Sequence, residues 1–94
     1  MTAAKDAFLV RITGRVQGVS YRVWTRNEAR ALGLTGWVRN EADGSVLVLI
    51  AGPSSATAAM LDRFWTGPAG ASVTNVDPQP TSGDAIPDDF RITA

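Results

Sequence analysis

Asp43-Gly44 stands between two strand-like runs, at about 35–41 and 45–51, and no other feature narrows the fold of this chain so far. Asp-Gly between two such runs supplies the backbone freedom of a tight reversal and predicts a β-hairpin. The segments on either side have a different period. Upstream, "YRVWTRNEARALG" puts Tyr21, Thr25, Ala29 and Leu32 on one helical face, with Trp24 beside it and Gly33 as the expected stop. Before that, "FLVRIT" at 8–13 alternates Phe8, Val10 and Ile12 against Leu9, Arg11 and Thr13, the pattern of a half-buried strand. Downstream, Pro53, Ser54 and Ser55 open a second helix, with a serine as expected N-cap and with Met60, Leu61, Phe64 and Trp65 as its apolar face. Gly67-Pro68 ends that helix. "ASVTNVDP" reads as a fourth strand, "PTSGDAIPDD" as a polar loop expected to be mobile, and "FRIT" as a short last strand.

The order is β-α-β-β-α-β with a short extra C-terminal strand. It predicts an α+β, ferredoxin-like sandwich in which two helices cover one face of an antiparallel sheet. A chain of 94 residues makes one domain, 1–94, with about 8–93 structured. Such a fold hosts many functions, so function has to be read from a site.

Composition removes several chemistries. There is no cysteine, hence no disulfide, thiolate zinc site or thiol nucleophile, and no histidine, the commonest general base and metal ligand. Nine basic residues balance nine acidic ones, which is not the electrostatic footprint of a nucleic-acid binder. The basic set is eight arginines and Lys5. Arginine suits bidentate recognition of phosphate or carboxylate, although a compositional bias accounts for most of these positions. "MTAAKDAFLV" has no apolar stretch long enough for a signal peptide, and the chain has no long apolar run. A cytoplasmic protein without a membrane partner is expected.

Three features converge once this fold is assumed. "GRVQGVSYR" lies between a strand and a helix N-terminus, where free backbone N–H groups form an anion site, and Gly18 permits unusual backbone geometry there. Arg22 falls in the first turn of the helix, an unfavourable place for a cation unless an anion offsets it. Asn40 lies near the end of the second strand. A crossover helix makes the first and second strands run the same way, so Asn40 shares an edge with the loop. Each feature also has a plain reading: a glycine loop is commonly a simple connection, Arg22 a solvated arginine, and Asn40 a residue approaching the Asp43-Gly44 turn. Their coincidence on one edge favours a site. Trp24, Trp37 and Trp65 read as packing.

These stretches carry a resemblance. "GRVQGVSYR" followed by "ALGLTGWVRNEADGSV" is similar to the acylphosphatase family, and the similarity runs on through "AGP", "GPAGASV" and "FRI", over about residues 8–93. It implies hydrolysis of an acyl phosphate to a carboxylate and inorganic phosphate. It implies a substrate phosphate-binding loop at Arg15, Val16, Gln17, Gly18, Val19, Ser20, Tyr21 and Arg22, and a catalytic pair of Arg22, binding the phosphoryl group, and Asn40, orienting the attacking water. Tyr21 stands where phenylalanine is usual, and Leu47 where glutamate is frequent. No cofactor and no metal ion are expected. The expected partners are a small acyl phosphate and the phosphate product, without nucleic acid, for a chain acting as a monomer. The alternative is a binding module for an acyl phosphate or carbamoyl phosphate that does not turn it over. An RNA-binding domain on the same layout needs exposed aromatics on its central strands and a basic surface, and "FLVRIT" and "SVLVLIA" offer only Phe8.

Overall fold

In the computed structural model, which describes residues 5–81 and 86–94, every expected strand and helix forms. They are β1 (Lys5–Arg15), α1 (Tyr21–Ala31), β2 (Thr35–Asn40), β3 (Val46–Pro53), α2 (Ser54–Thr66), β4 (Ser72–Pro80) and β5 (Phe90–Ile92). The expected mobile loop includes residues 82–85, which lie outside the described ones.

The sheet order is β4-β1-β3-β2-β5. β3 pairs antiparallel with both β1 and β2, so those two run parallel and bring their C-terminal ends to one edge. The sheet is mixed rather than wholly antiparallel, because β5 runs parallel to β2, with Val38 opposite Ile92. The cause lies in where the chain returns. β4 ends opposite Phe8, and β5 begins opposite Gly36, near the start of β2. The end of β4 and the beginning of β5 thus lie at the same end of the sheet, where β1 and β2 both start, and β5 sets out in the direction of β2. β4 and β5 are the two edges, and β4 carries Pro78 and Pro80.

The alternating residues Val10, Ile12, Val46, Val48 and Ile50 form one core with Tyr21, Ala29, Met60 and Phe64 of the helices. Each of the valine, isoleucine, methionine and phenylalanine side chains among them, taken fully out of water, stabilises the fold by about 1.5–3 kcal/mol. The opposite face has no helix, yet Leu47 and Leu49 are each only 6% exposed. Leu47 lies between Arg11 and Arg39 in register, and Leu49 between Leu9 and Trp37. The Arg39 guanidinium sits 4.8 Å from the centre of the Trp37 ring. Long arginine stems and one indole therefore cover what a third layer would otherwise cover.

The expected face of α1 is confirmed by burial of Tyr21, Thr25 and Ala29. Leu32 is the C-cap, and Leu34 and Gly33 donate back to Ala29 O (2.9 Å) and Arg30 O (3.1 Å), the paired bonds of a Schellman ending. α2 departs from expectation at two points. Its N-cap is Pro53, not a serine, and no side chain caps it. The strand passes directly into the helix at Pro53, which leaves no separate capping position; Thr57 Oγ1 donates to Ser54 O instead, at 3.1 Å. Trp65 does not join the apolar face but is 52% exposed. It lies one residue past Phe64, about 100° further round the helix, and turns to solvent.

Pro68 has no N–H, so Phe64 O loses the donor that an uninterrupted helix would supply. The Tyr21 hydroxyl donates to that carbonyl at 2.7 Å. The tyrosine hydroxyl, which a phenylalanine would lack, thus satisfies a buried acceptor and ties the start of α1 to the end of α2. Burial pushes its phenol well above the ordinary range.

Candidate active site

The edge shared by β1 and β2 is built from a loop and a turn. Shortly before the loop, β1 shifts register against β4 between Thr13 and Gly14. A side chain at Gly14 would lie 2.2 Å from Ser72 O, so only glycine lets β4 approach this closely. Arg15 remains in β1, opposite Ser72, rather than in the loop. Val16 then turns into the core at 1% exposure. Gly18 has φ of 75° and Ser20 of 65°, both left-handed. Ser20 is the N-cap of α1, yet its side chain makes no capping bond. A serine held in this conformation is a local cost of the kind that collects at functional sites.

Among the described residues, no backbone N–H from 16 to 23 donates a hydrogen bond within the protein. Successive donors near left-handed residues, at the positive end of a helix dipole, form an anion-binding concavity. α1 has no acidic residue in its first turn to compete for them. Six of the eight arginines give a hydrogen bond from the side chain, whereas Arg22, half-buried, makes neither hydrogen bond nor ion pair among the described residues. The exposed Arg15 is the other unpaired one.

Asn40 is fixed from the other side. Its N–H donates to Ala94 O at 3.1 Å, beyond the end of β5. Its Oδ1 is buried and accepts no hydrogen bond among the described residues. The turn that follows does not use it. Gly44 N–H donates to Glu41 O (3.1 Å) and Glu41 N–H to Ser45 O (2.9 Å). Asp43 Oδ1 accepts from the Ser45 N–H (2.9 Å) and hydroxyl (2.6 Å). The Asp43-Gly44 reversal is therefore a β-turn over 41–44 with Gly44 at positive φ in its last position. The Ser45 hydroxyl, then the Ser45 N–H, and to a smaller extent Arg11 hold the Asp43 carboxyl below its usual range.

Loop and strand ends meet around a cleft of about 410 Å³. Val16, Gly18, Ser20 and Arg22 line it from one side and Asn40 from the other, with Tyr21, Val23 and Ile92 completing the wall. Arg22 and Asn40 are thus brought together. Arg15, Gln17 and Val19 do not line the cleft; Val19 packs on the core instead. Ile92 is an addition that the sequence did not suggest, because its place depends on the parallel pairing of β5. A larger hollow of about 570 Å³ lies at the other end of the sheet, against Lys5, Gly33, Gly52 and Ile86. Neither Arg22 nor Asn40 lines it. Among the described residues no cluster of carboxylates could hold a metal ion, and no helix is long and apolar enough to cross a membrane.

A family model described as Acylphosphatase matches residues 8–92. An acylphosphatase of Rhizobium meliloti (strain 1021) is 61% identical over 93 residues, covering 99% of this chain and 98% of that one. The solved acylphosphatase of Coxiella burnetii superposes with a TM-score of 0.90 at 32% identity, over 95% of this chain and 93% of that one. That of Bacillus subtilis gives a TM-score of 0.90 at 29% identity, over 97% and 100%. A match of this extent in sequence and fold means that the chain belongs to the acylphosphatase family.

Proposed function

We propose that the chain hydrolyses the carboxyl–phosphate bond of acyl phosphates, with the loop N–H groups and Arg22 binding the phosphoryl group and Asn40 orienting the attacking water. The single observation that carries these roles is the convergence on one cleft of unbonded loop N–H groups, an unpaired arginine and a buried, unpartnered amide oxygen. The donors suit the equatorial oxygens of a transferring phosphoryl group, whose reaction depends on positioning and charge stabilisation more than on covalent chemistry. The Asn40 oxygen suits a water, which it can aim but not deprotonate; a phosphate oxygen of the substrate then takes the proton. The leaving carboxylate needs no proton at neutral pH, which explains how the cleft can work without an acid, a histidine or a thiol.

In this reading the enzyme acts as a cytoplasmic monomer without metal or cofactor. The purified chain should release carboxylate from an aryl acyl phosphate, and chelator should leave that rate unchanged. Phosphate should raise the melting temperature beyond an equal ionic strength of chloride, by mass action on the folded state. Arg22→Ala should abolish most of that extra shift and lower turnover about 100-fold or more. Equal phosphate shifts in both proteins would remove Arg22 from the site. Phosphate binding by the wild type without turnover would favour the binding-module alternative.

A further inference from the structure

Gln17 belongs to the loop in sequence, but its side chain leaves the cleft and crosses to the turn between β2 and β3. Its Nε2 donates to Glu41 O and to Ser45 O, each at 2.8 Å. Both acceptors are main-chain carbonyls, so the amino end of the amide has to face them. They are also the two carbonyls that close the turn, accepting from Gly44 and Glu41 N–H respectively. Glu41 directly follows Asn40. One side chain therefore joins the segment that carries Arg22 to the main chain beside Asn40, across a sheet edge where β1 and β2 are not themselves neighbours.

The loop needs such a tie. Among the described residues its own N–H groups from 16 to 23 form no bond that could anchor it. Attack in line requires the phosphoryl group and the water to be aligned, and these are held by different elements. Binding the phosphoryl group requires the loop alone. We propose that Gln17 is a positioning residue that sets the separation between the Arg22 side of the cleft and Asn40. This rests on the roles assigned above to those two residues. Loosening the bridge should then damage alignment far more than binding, since misplacement of a reacting group is costly even when affinity persists.

The test uses the full chain with Gln17→Met, which keeps length but has no donor, and Gln17→Asn, whose shorter amide cannot reach both carbonyls. For each, kcat and KM for an aryl acyl phosphate and Kd for inorganic phosphate are measured below the melting temperature. The measurements are repeated in the Asn40→Ala background. Gln17→Met should lower kcat about tenfold or more while the phosphate Kd moves less than about twofold. With Asn40 already gone there is little alignment left to lose, so the same change should then cost less than about twofold. Where Gln17→Met is unfolded at the assay temperature, Gln17→Asn decides the matter in the same way. Equal fractional losses in both backgrounds, or weaker phosphate binding with unchanged kcat, overturn the proposal and leave Gln17 a stabilising residue only. If Asn40→Ala loses turnover while Gln17→Met keeps it, this proposal alone fails. Full turnover in Asn40→Ala instead defeats the assignment of the site and this proposal with it.

Discussion

Two short connections meet at the cleft and treat their polar groups in opposite ways. In the turn at 41–45, the N–H groups of Glu41, Gly44 and Ser45, the Ser45 hydroxyl and the Asp43 carboxylate are all bonded, and Gln17 adds two more donations. In the loop, the N–H groups at 16–23 have no partner among the described residues, and one serine sits in a left-handed conformation. A donor left without a partner costs stability unless water or a ligand compensates. The turn is therefore built to have one shape, and the loop is built to keep its donors available. Stiffness on one side of the cleft serves unsatisfied chemistry on the other.

Asn40 tests the comparison most severely, because on the stiff side its buried side-chain oxygen has no partner among the described residues. Asn40→Ala should lower kcat about 100-fold or more, the scale of one preorganised polar group. The phosphate-induced rise in melting temperature should survive. A variant with wild-type kcat and a lower melting temperature would make Asn40 part of the turn after all and erase the contrast.

A smaller effect asks how the loop is held if not by its backbone. The Tyr21 hydroxyl fastens the end of the loop to Phe64 O. Tyr21→Phe leaves that buried carbonyl unmatched and should cost about 1–3 kcal/mol in chemical denaturation. Turnover per folded molecule should not change. A large fall in kcat at unchanged stability would mean that the hydroxyl serves the reaction rather than the packing.

The smallest expected effect concerns the turn's own charge. Its partners lower the folded-state pKa of Asp43, so this carboxylate contributes stability above the ordinary carboxylate range, and the contribution disappears as pH falls through the folded value. The gap in melting temperature between wild type and Asp43→Asn should be constant from neutral pH down to about pH 5 and should close below about pH 4. A gap that widens on acidification would contradict the bonding described for the turn. At neutral pH, kcat should be the same in both proteins.

Most of the fold, and the meeting of Arg22 with Asn40 at one cleft, were legible in the sequence because their signals are local. The face formed by Tyr21, Thr25 and Ala29 follows from helical spacing, and the meeting of Asn40 with the loop follows from the direction imposed by a crossover helix. What escaped depends on tertiary placement. Nothing in the spacing says that Gln17 reaches out of its loop, since its partners are carbonyls 24 and 28 residues away. Ile92 enters the cleft only because β5 lies parallel to β2. Trp65 was misplaced because two adjacent apolar residues on a helix cannot both point to the centre of the core. The serine cap failed because Pro53 both ends β3 and begins α2.

The outer strands bear on how copies of this chain meet. A sheet edge with free N–H and C=O groups is a template for another strand, and an exposed edge invites chain-to-chain polymerisation. One rim of this sheet is β4, where Pro78 and Pro80 offer no hydrogen to an incoming backbone, and the other is only the three residues of β5. A crowded solution of this protein thus presents a shortened backbone template on either rim for one molecule to extend the sheet of the next.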